Sequence, residues 1–482
     1  MIYPPDWQMM FFEGPAFMRQ ADATRRLPPM GLLYIAAHLI KHTGHEVKLL
    51  DSQLENLDYD EIESRIRAER PDIVGITTYT HTLLDSLEIA RRAKRVSPAI
   101  FVVMGGHHPS IYPEETAMLE GVDAAAVGEG EELMTELVEA IATGRSLHDV
   151  PGLYLRGKEK VYPTAPRQPI ANLDAIPFPA RSLLPKDSYK FATDADSCST
   201  SMISSRGCRF KCIYCDVLYK EIRPRSPENV ADEIGDCLDL GIKEIHFFDD
   251  NFNFSEERVI AICREIVIRG YNVRFSIRAR PDKFSPDMTD WLRRAGCARI
   301  SLGIETATDE MLRRIKKGVT TDMTRRAVKM AHDSGIEIAG YFIIGLPGQT
   351  EEGIRQTVDF AIALDLDFAQ FNYMGLLPAT EAYSEALSAN VFDRDFYREF
   401  AKSPVPTTQI AYWPNPLSYK DIIGHMKRSY RRFYFRPSYI WGRLKTLRSF
   451  NQFLRYAVSG FFVITYSIFS WYNYRPPVIN KD

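Results

Sequence analysis

Residues 204–216 read SSRGCRFKCIYCD and hold Cys208, Cys212 and Cys215 in the spacing C-x-x-x-C-x-x-C. Thiolates are soft ligands suited to iron and zinc. Structural zinc takes four protein ligands, and neither a nearby histidine nor a second C-x-x-C is present to complete such a site. Three closely spaced thiolates can instead hold three irons of a four-iron cluster and leave the fourth open to a substrate. A fully ligated electron carrier needs a fourth cysteine, and Cys198 is the nearest upstream of the cluster. The pattern therefore reads as a redox-active iron–sulfur site in an enzyme, with a zinc knuckle as the bland alternative. Cys198, Cys237, Cys263 and Cys297 are scattered and read as ordinary buried residues.

The cysteines lie on a loop that follows a strand expected at Ser201–Ser205. Further strands are expected at Glu244–Phe248, Val273–Ile277, Arg299–Gly303, Glu337–Ile344 and Phe368–Tyr373, with helices between them. Six βα units predict a parallel (β/α)6 partial barrel over 196–390. Residues 1–150 alternate in the same way. Helices are expected at 30–42, 59–69, 83–96, 114–120 and 131–143, and strands at 47–50, 72–77, 100–104 and 124–127. Continuous apolar strands between helices mark a doubly wound parallel sheet, so the fold class is α/β. The first strand looks clipped, since Met1-Ile2-Tyr3 meets Pro4-Pro5 at once, so Met1 is expected to lie downstream of the real start. Residues 151–195 are proline-rich and aperiodic and read as a linker. Past about 390 the pattern becomes helical, aromatic and arginine-rich.

The 482 residues suit two or three domains, and a composition of 45% hydrophobic and 26% charged residues supports an ordinary core. A net charge of −3 gives no indication of nucleic-acid binding. The start MIYPPDWQMMFFEG lacks the basic and apolar regions of a signal peptide, and seven cysteines form no disulfide framework. A reducing, cytoplasmic compartment is expected.

The cysteine spacing, with aromatic Tyr214 just before the last cysteine, resembles the radical S-adenosylmethionine superfamily. The resemblance implies a four-iron four-sulfur cluster whose open iron binds S-adenosylmethionine, and reductive cleavage to methionine and a 5′-deoxyadenosyl radical inside a barrel. An external reductant such as a flavodoxin or ferredoxin is implied. Other segments match in order. Asp249 and Asp250 end the second strand, where such enzymes contact the methionine moiety. Arg278 and Arg280 follow the third strand, where an arginine could hold a carboxylate. Ser301 to Glu305 resembles the fourth-strand segment whose carboxylate contacts the cofactor. Ile343 and Gly345 lie in the adenine-packing segment YFIIGLPG.

The first domain resembles the cobalamin-binding domain that precedes the barrel in one subfamily. Matching stretches include Thr77-Thr78, Gly105-Gly106-His107 and Gly128-Glu129. These are implied to border the corrin at the C-terminal edge of the sheet. Asp51 is followed by Ser52-Gln53-Leu54, so no histidine is offered below cobalt at the usual place.

Over nearly the whole chain the resemblance is to the anaerobic magnesium-protoporphyrin monomethyl ester cyclase and hopanoid methylase group. It implies methyl transfer from cobalamin to an unactivated carbon of an apolar small molecule, a lipid or tetrapyrrole. A cyclase-type oxidation is the alternative, and a non-catalytic iron–sulfur electron carrier is the alternative outside the class. In the helical region 391–482, Tyr456–Trp471 is uncharged and follows a basic stretch that includes Lys427, Arg428, Arg431, Arg432, Arg436, Arg443, Lys445, Arg448 and Arg455. That combination suits a position on the inner membrane surface, or a helix packed on the barrel; it is short of the roughly 20 residues of a spanning helix.

Overall fold

The computed structural model describes residues 1–6, 27–185, 189, 198–392, 394–405, 411–413 and 417–445. The first sheet contains β1 (Ile2–Tyr3), β2 (Leu50–Asp51), β3 (Ile73–Thr77), β4 (Phe101–Gly105), β5 (Ala124–Ala126), β6 (Leu153–Arg156) and β7 (Val161–Pro163). The order is β2-β1-β3-β4-β5-β6-β7, parallel as far as β5 and antiparallel beyond it. Successive residues of β4 serve opposite faces. Val102 and Met104 join one core with Ile62 and Leu87, while Val103 joins another with Leu133 and Leu137. That double burial is why the strands read as unbroken apolar runs.

Helices Met30–His42 and Gly130–Thr143 pack together on one face, and Tyr59–Glu69 and Leu83–Val96 on the other. The helix expected at 114–120 is instead Pro113–Ala117, preceded by a short helix His107–Ile111. The clipped first strand is short but lies inside the sheet, with Ile2 opposite both Leu50 and Ile76. Residues 153–163, expected to be linker, add a β-hairpin to the sheet. Leu153 and Leu155 point inward, and the terminal Pro163 is tolerated because β7 is an edge strand.

The second sheet follows. Its strands are β8 (Ser199–Met202), then β11 (Glu244–Phe247), β12 (Arg274–Ala279), β13 (Cys297–Glu305), β14 (Glu337–Ile344) and β15 (Phe368–Tyr373). Between β8 and β11 the chain forms the small ladder of β9 (Ser205–Arg206) and β10 (Arg223–Pro224). The six-stranded sheet is parallel throughout, in the order β15-β14-β13-β12-β11-β8, with β8 and β15 as open edges. This is the expected partial barrel. Its crossover helices begin at hydroxyl caps: Ser226, Ser255, Ser285, Thr320 and Thr350 each accept a backbone N–H three residues on.

Helix Tyr419–Tyr434 lies along the exposed edge of β15. The Tyr430 and Tyr434 hydroxyls accept the backbone N–H groups of Phe371 and Ala369 at 3.2 and 3.0 Å. Side-chain capping of this kind blunts an edge that would otherwise pair with another chain. Helix Phe396–Lys402 returns to the first domain, where Phe400 enters the core and Arg398 meets Glu115 at 3.0 Å. Tyr456–Trp471, Arg448 and Arg455 lie outside the described residues.

Candidate active site

The three cysteines lie on loop 207–222, whose base is the β9–β10 ladder, with Arg206 opposite Arg223 and Ser205 opposite Pro224. Gly207 turns the chain at φ +90°, and a Cβ there would meet the Glu221 carbonyl oxygen at 2.0 Å, so only glycine fits. The Cys208 N–H donates to the Tyr219 carbonyl at 3.0 Å, the Cys215 N–H to Cys212 at 3.1 Å, and the Ile213 N–H to Ile315 at 3.2 Å. All three thiols are half-buried and unbridged. Burial raises the pKa of the Cys208 thiol, and that of Cys215 to about 11. Bound iron would supply the positive charge that holds them as thiolates. Among the described residues no three Cys, His, Asp or Glu side chains converge as a single ion requires. Ligands of a four-iron cluster bind separate irons, so the donor set still fits. Of the other cysteines, Cys237, Cys263 and Cys297 are buried as expected, whereas Cys198 is half-buried.

The barrel ends brace this loop. Asp249 is buried and accepts the Ser204 N–H at 2.7 Å and the Ser204 and Ser205 hydroxyls at 2.6 Å each. Its oxygens are thus engaged in holding the strand that leads into the cysteines. Asp250 accepts the Gly207 N–H at 3.0 Å, and burial raises its pKa. Asn251 is 2% exposed, and neither its amide nitrogen nor its oxygen finds a partner among the described residues. A buried amide left so needs a further partner, an ordered water or a bound group.

Arg280 donates to the Lys317 carbonyl at 2.6 Å, pairs with Asp282 at 3.0 Å, lies 3.9 Å from the Cys212 Sγ and stacks 3.4 Å over Phe210. Arg278 stacks 3.8 Å over Phe248, and burial lowers its pKa. Ser301 sits beside Arg278 across the β12–β13 pair. Glu305 occupies left-handed backbone at φ +69°, where the β13–β14 register shifts. Its carboxylate meets the buried ammonium of Lys317 at 2.6 Å, and that ammonium donates to the Tyr214 hydroxyl at 3.2 Å. Ile343 packs in the same apolar cluster as Tyr214 and Leu346. Gly345, at φ +80°, donates its N–H to the Gln349 side chain at 2.8 Å.

The edge of the first sheet faces this loop. Gly106, at φ +106°, brings its α-carbon against Thr78, whose carbonyl a Cβ would meet at 3.0 Å. The Thr78 N–H donates to Gly105 at 2.7 Å, and Thr77 pairs with Gly105 across β3 and β4. Thr78 Oγ1 and His108 Nε2 are buried without partners among the described residues, at the ends of β3 and β4 where a doubly wound sheet takes its ligand. His107 hydrogen-bonds the Asp216 carbonyl, next to Cys215, at 3.1 Å. Gly128 lies beneath the Tyr219 hydroxyl. Glu129 pairs with Arg206 at 2.8 Å and Arg223 at 2.7 Å. Sequence reasoning missed Lys317, Arg206, Arg223 and Tyr219, since nothing local to each foretells partners so far along the chain.

The radical SAM superfamily model matches residues 202–361, and the B12-binding domain model matches residues 20–138. An uncharacterized methyltransferase of Pyrococcus horikoshii is 34% identical over 416 residues, 85% of this chain and 88% of its own. The anaerobic magnesium-protoporphyrin IX monomethyl ester cyclase of Rubrivivax gelatinosus is 27% identical over 87% of this chain and 76% of its own. The radical S-adenosylmethionine methyltransferase TsrM of Kitasatospora setae, solved with tryptophan and an S-adenosylmethionine analogue, shares the fold at TM-score 0.66 and 23% identity, over 82% of this chain and 76% of its own. With its cysteine loop set against the edge of a B12-binding sheet, the chain belongs to the B12-binding-domain radical S-adenosylmethionine enzymes, whose cofactors are a four-iron four-sulfur cluster, S-adenosylmethionine and cobalamin.

Proposed function

We propose that the protein transfers a methyl group to an unactivated carbon of an apolar small molecule, a lipid or tetrapyrrole. The observation that carries this reading is that the cysteine loop and the C-terminal edge of the first sheet touch, through His107 and Asp216 and through Gly128 and Tyr219. Cys208, Cys212 and Cys215 would hold the cluster. Asn251, Arg278, Arg280, Ser301, Glu305, Ile343 and Gly345 would border S-adenosylmethionine. Thr77, Thr78, Gly105, Gly106 and Gly128 would border cobalamin. When bound, these groups supply a carbon-centred radical for hydrogen abstraction and a methyl group for transfer.

The chain's own part is binding, orientation and exclusion of water. An apolar core cluster joins the parts around the site: Tyr112 from the first domain, Ile213 from the cysteine loop, Leu346, Met374, Leu376 and Tyr383 from the barrel segment, and Phe396 from the C-terminal region. A dry apolar core at this seam helps keep solvent from a reactive intermediate. Similarity to the cyclase sustains a second reading, oxidative cyclisation. A flavodoxin or ferredoxin would supply the electron. The exposed Ile440, Trp441 and Leu444 beside Lys445 favour a peripheral position on a membrane.

The test is anaerobic incubation of the reconstituted protein with candidate lipids and tetrapyrroles. A product heavier by one methylene, with 5′-deoxyadenosine, is expected. A product that has lost hydrogen without gaining carbon would establish the cyclase reading, and no 5′-deoxyadenosine would overturn both.

A further inference from the structure

We propose that Glu129 is a latch that fixes the cluster loop in register with the cobalamin-binding edge. Loop 207–222 is rooted in two arginines, Arg206 and Arg223, opposite each other on β9 and β10. Glu129, just past the end of β5 in the other domain, engages both. Its Oε1 takes Arg206 Nη1 at 2.8 Å and Arg223 Nη2 at 2.9 Å, and its Oε2 takes Arg223 Nη1 at 2.7 Å. Oε2 also accepts the Ile170 N–H at 2.6 Å. Arg206 reaches on to Glu131 at 2.5 Å.

These side chains are largely buried: Glu129 is 7%, Glu131 4%, Arg223 8% and Arg206 18% exposed. The arginines outweigh burial and lower the Glu129 pKa, so it stays ionised. Bidentate pairing with the planar Arg223 guanidinium fixes angle as well as distance, and Arg206 forks between Glu129 and Glu131. Two further contacts lie on the same seam. Tyr219, whose carbonyl holds Cys208, sets its hydroxyl over Gly128, and His107 holds Asp216 beside Cys215. The latch thus grips the loop at its root while these two residues seat its ends. With its oxygens so committed, Glu129 is a positioning residue and not a contact to the corrin.

The proposal rests on the reading of this edge as the cobalamin site only for its purpose; the grip itself can be tested without cofactors. In Glu129→Gln, hydrogen exchange across 207–222 should accelerate about tenfold or more while β4 and β13 keep their protection. Glu129→Asp, which keeps the charge at shorter reach, should recover part of the effect. Wild-type exchange in the Gln variant would overturn the proposal, as would acceleration spread equally over both sheets. If the Gln variant does not fold, Arg206→Lys, with one donor in place of the fork, carries the same expectation and the same refutations.

A second readout concerns the register. With the cluster reconstituted, hydroxocobalamin added and both centres reduced to their paramagnetic states, each speeds the other's spin relaxation in a distance-dependent way. The Gln variant should show a weakened or heterogeneous effect at unchanged iron content. An unchanged effect would overturn the latch, whereas a parent protein with no bound cobalt signal would instead overturn the cobalamin assignment of the edge.

Discussion

The Lys317 ammonium sits 2.6 Å from the Glu305 carboxylate, each about 7% and 8% exposed, and directly above Gly303. A Cβ on Gly303 would meet both groups at 2.8 Å, so the strand is bare beneath the pair. Removing one partner of a buried ion pair strands the other charge and costs about 3 kcal/mol or more. Lys317→Met is expected to lower stability by that order. It should also weaken S-adenosylmethionine binding, because Glu305 and Tyr214 lose the group that aims them. Thermal unfolding and equilibrium dialysis on protein of unchanged iron content check both. Parent-like S-adenosylmethionine affinity would show that the pair is structural only.

Replacing any one of Cys208, Cys212 or Cys215 by alanine is expected to abolish S-adenosylmethionine cleavage. Two thiolates hold a four-iron cluster poorly, and among the described residues Cys237, Cys263 and Cys297 are buried in the barrel core, unable to substitute. The measurement is 5′-deoxyadenosine from reconstituted Cys212→Ala. Formation at the parent rate would show that this residue is no cluster ligand.

No protein histidine is expected on cobalt. Asp51, where such a loop would start, instead receives the Tyr189 hydroxyl at 2.6 Å and the Gln53 and Leu54 N–H groups at 3.1 and 2.9 Å. His107 is turned to the cysteine loop, and His108 is fully buried against Thr80. Electron paramagnetic resonance of the singly reduced cobalt should show no hyperfine structure that disappears when His81, His107 and His108 are each changed to alanine. Loss of such structure in any one variant would identify it as the ligand.

The barrel strands were legible because every second residue is buried, Ile338, Phe342 and Ile344 on β14 and Ala369 and Phe371 on β15: these two have the bounds the sequence suggests, and β13 is found two residues longer at each end. The β6–β7 hairpin was not, since alternation over four residues is drowned by the prolines around it. The cysteine spacing declared its chemistry. Side chains whose roles come from distant partners did not. The resemblance makes Asp249 a cofactor contact, and nothing local foretells that it braces Ser204 and Ser205. Lys317 follows an ordinary helix, and only the fold brings it to Glu305.

Asp367 should govern how firmly the last described helix is held. Burial alone would raise its pKa, but the His332 hydrogen bond, Arg443 and the Ile338 N–H outweigh burial and lower it to about 2. Arg443 lies on helix Pro437–Lys445, so the carboxylate ties that helix to the start of β15. A depressed carboxyl pKa contributes stability that is complete above about 3.8 and lost as the pH falls toward 2. A shift of this size corresponds to about 2 kcal/mol. Asp367→Asn is therefore expected to be less stable than the parent by about that amount at neutral pH, with the gap closing between about pH 4 and pH 2. Denaturant titrations across that range check it, and a gap independent of pH would show that the ionised carboxylate is not the source.

The C-terminal region is expected to bind anionic membrane surfaces. On helix Pro437–Lys445, Trp441 is 62%, Ile440 47% and Leu444 45% exposed, and Lys445 ends the same short helix, while Arg443 is held by Asp367. Large apolar side chains left in water beside cations match what an interface of acidic headgroups and acyl chains accepts. The sequence continues into Tyr456–Trp471, uncharged and bearing Phe461, Phe462, Ile464, Ile468 and Phe469, after Arg448 and Arg455. Tyr456–Trp471 is shorter than the roughly 20 residues a spanning helix needs, so the expected mode is attachment to one face. Sedimentation with anionic liposomes should carry down the full chain and leave a chain ending at Lys445 mostly in the supernatant, and binding should weaken as salt rises. Trp441→Ala in the full chain should reduce binding further than loss of an exposed residue elsewhere. Equal sedimentation of the full and shortened chains would remove 446–482 as the anchor, and no sedimentation of either would remove the membrane surface as a partner.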